Sequence, residues 1–218
     1  MGLVEDEMPA PTPAFKREAL KRGVARVASM GWTGIHNMSV SADELAMLIA
    51  LEGDGALPIR VDNYMDAAAG EQILKAGPVR TRRVSVRGVK LYIDGALGSR
   101  GAALLSPYND AKTSGLILLP QKDLLSYLAR AKASGAQIAV HAIGDRGNRL
   151  VLDAFAKTFG PKGGRDLRWR IEHAQVVAPQ DLPRFAKLGV IASMQPSHAS
   201  FARRPAGPRA PSRTPLTT

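Results

Sequence analysis

The sequence predicts an α/β fold built on a parallel sheet. Three observations carry that expectation. Short apolar runs alternate with amphipathic segments along most of the 218 residues. The apolar runs are nearly continuous and end in polar or ionisable residues, as parallel strands buried on both faces do when function sits at their carboxyl edge. No GxGxxG and no phosphate-binding P-loop is present, which lowers the odds of a nucleotide-binding sheet. Periodicity alone leaves a doubly wound sheet and a barrel both open.

Taken in order, residues 1–13 read as a loose, proline-containing leader. Residues 14–30 place Phe15, Leu20, Val24, Val27 and Met30 near helical spacing, with Gly31 as the stop. WTGIHNM reads as a strand. SADELAMLIALEGDG reads as a helix whose Ser41 and Glu44 form a capping box. LPIRVDNYM is a strand, MDAAAGEQILKAG a helix, and RRVSVRGVKLYIDG a strand-rich stretch. A long loop, ALGSRGAALLSPYNDAKTSG, leads into the helix PQKDLLSYLARAKASG. Then follow strand QIAVHAIG, helix DRGNRLVLDAFAKTFG, strand LRWRIEHAQ, helix APQDLPRFAKLG and strand VIASMQP. Residues 202–218 form an Arg/Pro-rich tail expected to be disordered.

Composition excludes several classes. Apolar residues make up 45% and charged residues 22%, a globular balance. No apolar run reaches the roughly 18 residues of a membrane span, and no signal peptide is visible. There is no cysteine, which removes disulfides and thiolate metal sites and fits a cytoplasmic protein. The net charge of +11 raises a nucleic-acid partner. Four of those charges are arginines in the last sixteen residues, and aromatics are only 5%, too few for base stacking. We therefore expect neither a nucleic-acid nor a membrane partner.

Chemistry-bearing residues stand at strand ends. Lys90 lies in GVKLYIDG with Asp94 four residues later, His141 ends QIAVH, and His173 ends WRIEH. They are one or two βα units apart, so in a barrel all three converge on one mouth. Neutral imidazoles are good ligands for zinc and similar ions, and such an ion acidifies bound water. A lone histidine after a strand is more often structural; two in matching positions beside Asp145, Glu172 and Gln175 raise the metal reading to even odds. Lys90 has three readings: a salt-bridged residue, a Schiff-base lysine, or a carbamylated lysine bridging two metals. His36 is expected to be structural, His198 to face substrate or cap a loop, and the glycine-rich stretch 95–105 to be an active-site loop or turn.

Together, VKLYIDGALGSRGAALLSPY, SGLILLP, IAVHAIGDRGNRLVLDAF, RWRIEHAQ and IASMQPSHA resemble the amidohydrolase superfamily, specifically the amidohydrolase 3 (YtcJ-like) group that includes N-substituted formamide deformylases. The likeness runs over about residues 14–201. It implies a (β/α)8 TIM-type barrel, here a partial one of about strands 2–7, lacking strands 1 and 8 and the accessory β-sandwich. It implies a metal-dependent hydrolase that attacks non-peptide C–N bonds of small amide or formamide substrates with metal-activated water. By position, His141 and His173 match the strand-5 and strand-6 metal ligands, and Lys90 the strand-4 lysine that such sites carbamylate to bridge two metals. The metal implied is divalent, zinc above all. Arg100 and His198 fall on the substrate side.

Two departures stand out. The family's HxH pair and strand-8 aspartate have no counterpart, since the histidines are only His36, His141, His173 and His198. An impaired or inactive fragment is therefore expected, with an exposed apolar inner face and self-association through its open edges. A non-catalytic interaction protein is the alternative, and a Lys90 Schiff-base lyase or a nucleic-acid binder ranks below it.

Overall fold

The computed structural model describes residues 8–198. The elements are α1 (Pro13–Ser29), β1 (Gly34–Val40), α2 (Ala42–Gly53), β2 (Arg60–Met65), α3 (Gly70–Ala76), β3 (Val79–Arg80), β4 (Val84–Tyr92), α4 (Gln121–Ser134), β5 (Gln137–Ala142), α5 (Asp145–Phe159), β6 (Arg170–His173), α6 (Leu182–Leu188) and β7 (Ile191–Ser193). Six strands pair in parallel in the order β1-β2-β4-β5-β6-β7. Each strand lies beside its predecessor and the order never reverses. With right-handed crossovers, such an order puts every helix on one face. The sheet is thus a stretch of TIM-type barrel wall and not a doubly wound sheet, which settles the choice periodicity left open.

The core lies between that face and the helices. Val89, Leu91, Ile138, Val140, Ala142 and Ile171 of the strands meet Leu124, Leu128 and Ala131 of α4 and Val151, Leu152, Phe155 and Phe159 of α5. A second cluster joins Val24 of α1 to Leu48 and Leu51 of α2 and Val61 of β2. The capping box of α2 forms as expected, with Ser41 accepting from the Glu44 amide and Glu44 from the Ser41 amide.

Some local expectations shift. The first helix begins at Pro13, inside the stretch read as leader, because Thr12 caps it through the Phe15 amide. Its apolar stripe is only partly covered. Val24 is buried, whereas Phe15 and Met30 are 66% and 54% exposed, since α1 packs at the free end of the sheet. The third helix is shorter than the pattern implied: Met65 belongs to β2, and the Asp66 carboxylate takes the Ala69 amide in a turn before Gly70. The antiparallel flap β3 on β4 had no readable signal. Residues 1–7, most of the leader, and the 202–218 tail lie outside the described residues.

The larger correction concerns the concave face. It is polar, not apolar. Asp62 of β2 accepts from Ser85 and, at 3.0 Å, from Arg87 of β4. The Tyr64 hydroxyl donates to Gln137 at 2.5 Å. Arg170 on β6 reaches across to His36 on β1, 2.7 Å from its Nδ1, and donates to Ser193 at 2.6 Å. His36 is therefore part of this brace, with its pKa lowered by burial first and by Arg170 second. Such pairs link strands 20 or more residues apart, so each residue looks merely polar in sequence.

Candidate functional site

By strand alternation, Lys90, Tyr92, His141, Arg170 and Glu172 share the concave face. Register places Lys90 opposite Ala139, Tyr92 opposite His141, and His141 opposite Glu172. Lys90 is buried; its ammonium donates to the Leu91 carbonyl at 3.1 Å and lies 3.4 Å from the centre of the Tyr92 ring. Burial pushes its pKa down to about 7, against the opposing pull of Glu172. Tyr92 is tied at 2.6 Å to Ser39, at the end of β1.

Alternation alone would send His173 to the helix side, because Glu172 already faces the lumen. The backbone intervenes. His173 and Ala174 have φ of 77° and 42°, the left-handed region that costs a non-glycine residue energy. The turn brings the His173 ring to 4.6 Å from the His141 ring, centre to centre, and the His198 ring stands 5.7 Å further on. Three of the predicted site residues thus form a row at the carboxyl edge, beside Tyr92 at 5.4 Å from His141. Ser39, at φ 59°, adds another strained residue at this edge.

The imidazoles suit metal ligation. Burial lowers the His141 pKa to about 4, reinforced by His173 and Lys90 and opposed by the Gly95 carbonyl, so the ring is neutral at pH 7. Its Nε2 faces the Gly95 carbonyl oxygen at 3.3 Å. A carbonyl only accepts, so Nε2 carries the hydrogen and Nδ1 the lone pair. His173 Nδ1 faces the Gln195 oxygen at 2.9 Å, which leaves its Nε2 as the free lone pair. His198 Nδ1 is buried with no hydrogen-bond partner among the described residues, an unmet donor or acceptor at the end of the row. These donors fit a divalent ion in type. Among the described residues, however, no group of three His, Cys, Asp or Glu is arranged to hold one. Arg100 does not join the row through its guanidinium, which is spent on Asp110 at 3.0 and 3.2 Å.

Asp94, noticed in sequence only for its distance from Lys90, organises the site. Its fully buried carboxylate accepts amides from Ala103, Ile143 and Gly144 at 2.9, 3.0 and 2.8 Å. Burial raises its pKa to about 6, while these three donors pull the other way, so it is ionised at pH 7. Asn148 completes the bracket by donating to the carbonyls of Ala142, Gly144 and Val176. The glycines of HAIGDRGN follow from this closeness. A Cβ on Gly144 would lie 1.9 Å from the Ala103 carbonyl oxygen. Gly144→Ala should therefore cost about 1–3 kcal/mol in urea unfolding. Gly98→Ala, where a Cβ meets nothing within 4 Å, should be near neutral.

A cleft of about 700 Å³ opens beside β1, lined by Trp32, His36, Arg60 and Asp62, and stands apart from the histidine row. Among the described residues no helix is long and apolar enough to cross a membrane.

A wall of parallel strands with histidines gathered at its carboxyl edge is the arrangement of a (β/α) barrel with its chemistry-bearing residues at one mouth. The amidohydrolase family profile matches residues 1–217, and the chain belongs to that family. It is 33% identical over 187 residues to Protein LONG AFTER FAR-RED 3 of Arabidopsis thaliana, covering 83% of this chain and 32% of that protein. It is 30% identical over 215 residues to YtcJ of Bacillus subtilis (strain 168), covering 89% and 37%. The crystal structure of an uncharacterized metal-dependent hydrolase from Pyrococcus furiosus superposes with a TM-score of 0.83 at 31% identity, covering 93% of this chain and 42% of that one. The chain thus spans about a third to two-fifths of the length of these relatives.

Proposed function

We propose that these residues form part of the active site of a cytoplasmic, metal-dependent hydrolase that cleaves non-peptide C–N bonds of small amide or formamide substrates. The observation that carries this reading is the convergence of His141 and His173, which needs a strained backbone at His173. His141 through Nδ1 and His173 through Nε2 would hold a divalent ion, zinc by preference, with Lys90 as a further ligand once carbamylated. Such an ion, when bound, polarises a carbonyl and lowers the pKa of water. The low proton affinity of the Lys90 amine leaves part of it unprotonated and able to take up carbon dioxide. His198 and the Tyr92 ring line the substrate side of the row, and Ser39 holds the Tyr92 phenol in place.

The family resemblance implies further ligands, among them an HxH pair, and no HxH occurs in these 218 residues.

The test is metal content and affinity of the purified chain. The wild type should retain zinc or cobalt. His141→Ala and His173→Ala should each weaken binding by more than the roughly 10–100-fold typical of lost outer-shell partners. Metal retention equal to wild type in both variants would refute the assignment. Borohydride with a carbonyl substrate should leave Lys90 unlabelled; a labelled Lys90 would replace this reading with a Schiff-base lyase.

A further inference from the structure

We propose that Asp94 is a positioning residue that fixes the orientation and tautomer of the His141 ring. The inference deepens the reading of His141 as a ligand, but its geometry stands without any metal. The Asp94 carboxylate is immobilised by the three backbone amides of Ala103, Ile143 and Gly144. Gly147 presses against it from the first turn of α5, where a Cβ would lie 2.6 Å from Oδ2. So fixed, Oδ1 stands 3.4 Å from His141 Nε2, the same nitrogen that faces the Gly95 carbonyl.

The Gly95 carbonyl accepts from that nitrogen, and Asp94 Oδ1, close but not aligned as a hydrogen bond, sets a negative charge beside it, so the nitrogen bears the hydrogen. The opposite tautomer would set its lone pair against a carboxylate and a carbonyl at once. Gly95 follows Asp94 directly, so the anchored carboxylate also sets where that carbonyl points. One residue thereby joins the end of β4, the 95–118 loop and the turn after β5 to the ring they surround. A carboxylate or carbonyl behind a ligating imidazole keeps its other nitrogen aimed and basic.

Long-range proton–nitrogen correlation spectra of the full chain, recorded above the imidazole titration range, test this directly. His141→Gln assigns the signal. Wild-type His141 should be a single Nε2–H tautomer. Asp94→Asn should give a mixture containing the Nδ1–H form. Asp145→Asn is the control, at a second buried carboxylate that accepts the Leu105 amide of the loop and the Arg146 amide of α5. It should lower stability and leave the tautomer unchanged.

An Nδ1–H tautomer in the wild type overturns the proposal, as does an Asp94→Asn spectrum matching wild type. If Asp94→Asn does not fold, Gly147→Ala, whose Cβ would displace the Asp94 carboxylate, decides: an Nδ1–H fraction supports the proposal, and a wild-type spectrum overturns it. Where the chain binds cobalt, Asp94→Asn should weaken it about 10–100-fold. A chain that binds no metal but shows the predicted tautomers refutes the metal reading and leaves this one standing.

Discussion

Arg170→Met should lower the free energy of unfolding by about 3–5 kcal/mol, read from urea denaturation. Arg170 and Glu172 are both largely buried, and their Nε and Oε1 stand 2.5 Å apart as an ion pair, though not aligned as a hydrogen bond. Removing the guanidinium strands the Glu172 carboxylate in the concave face and breaks the bonds to His36 and Ser193. The loss therefore combines an uncompensated buried charge with the only described side-chain bond from β6 to β1. A double variant, Arg170→Met with Glu172→Gln, should recover most of the stability, because the stranded charge is the larger share. Arg100→Ala makes the contrast. Its pair with Asp110 is exposed on the surface, so its loss should be far smaller. Equal losses at Arg170 and Arg100 would show that the concave network braces nothing.

That network marks where sequence reasoning reached its limit. The strands were legible because each is a local apolar run, and the ends of β5 and β6 were legible because a histidine closes each run. The direction of His173 was not. Period-two alternation puts Glu172 beside His141 and turns His173 away, and only the left-handed backbone at 173–174 reverses that. Little in EHAQ announces a positive φ: histidine is among the non-glycine residues enriched there, yet such residues remain uncommon. The motif glycines had the opposite fate. Their spacing in HAIGDRGN was visible, but the reason lies in chain segments some 40–50 residues upstream, Ala103 and Asp94, which press against them.

The polar lumen carries the same lesson. Asp62, Arg87, Arg170 and Glu172 read singly as surface charges, and an incomplete barrel then seems to expose apolar residues inside. Asp62 pairs with Arg87 across the sheet and Arg170 with Glu172 along β6, on a concave wall that the helices leave uncovered. The apolar burden falls almost wholly on the outer face, between strands and helices. A curved wall of this kind can hold its shape through side-chain bonds across the hollow while the carboxyl edge keeps its histidines in a row.

Trp169→Ala should cost about 3–5 kcal/mol, the cost of deleting a large buried aromatic. Trp169 is fully buried just before β6, with its ring centre 5.4 Å from Phe155 and 5.2 Å from Phe159. Its Nε1 donates to the Ala136 carbonyl at 3.0 Å, and its own carbonyl takes the Ile191 amide. The side chain thus pins the start of β6 to the start of β5, and the backbone pins β7. Trp169→Phe keeps most of the apolar volume but leaves Ala136 without its donor, so about 1–3 kcal/mol should remain lost. Fluorescence can follow this site cleanly. The only other tryptophan, Trp32, is 62% exposed, so Trp32→Phe leaves Trp169 as the sole reporter. Its emission should be blue-shifted in the native chain and move red in one step with urea. If the emission moved red before the backbone signal changed, β6 would open ahead of the core, and the row of histidines at its end would be held by a local hinge and not by the fold as a whole.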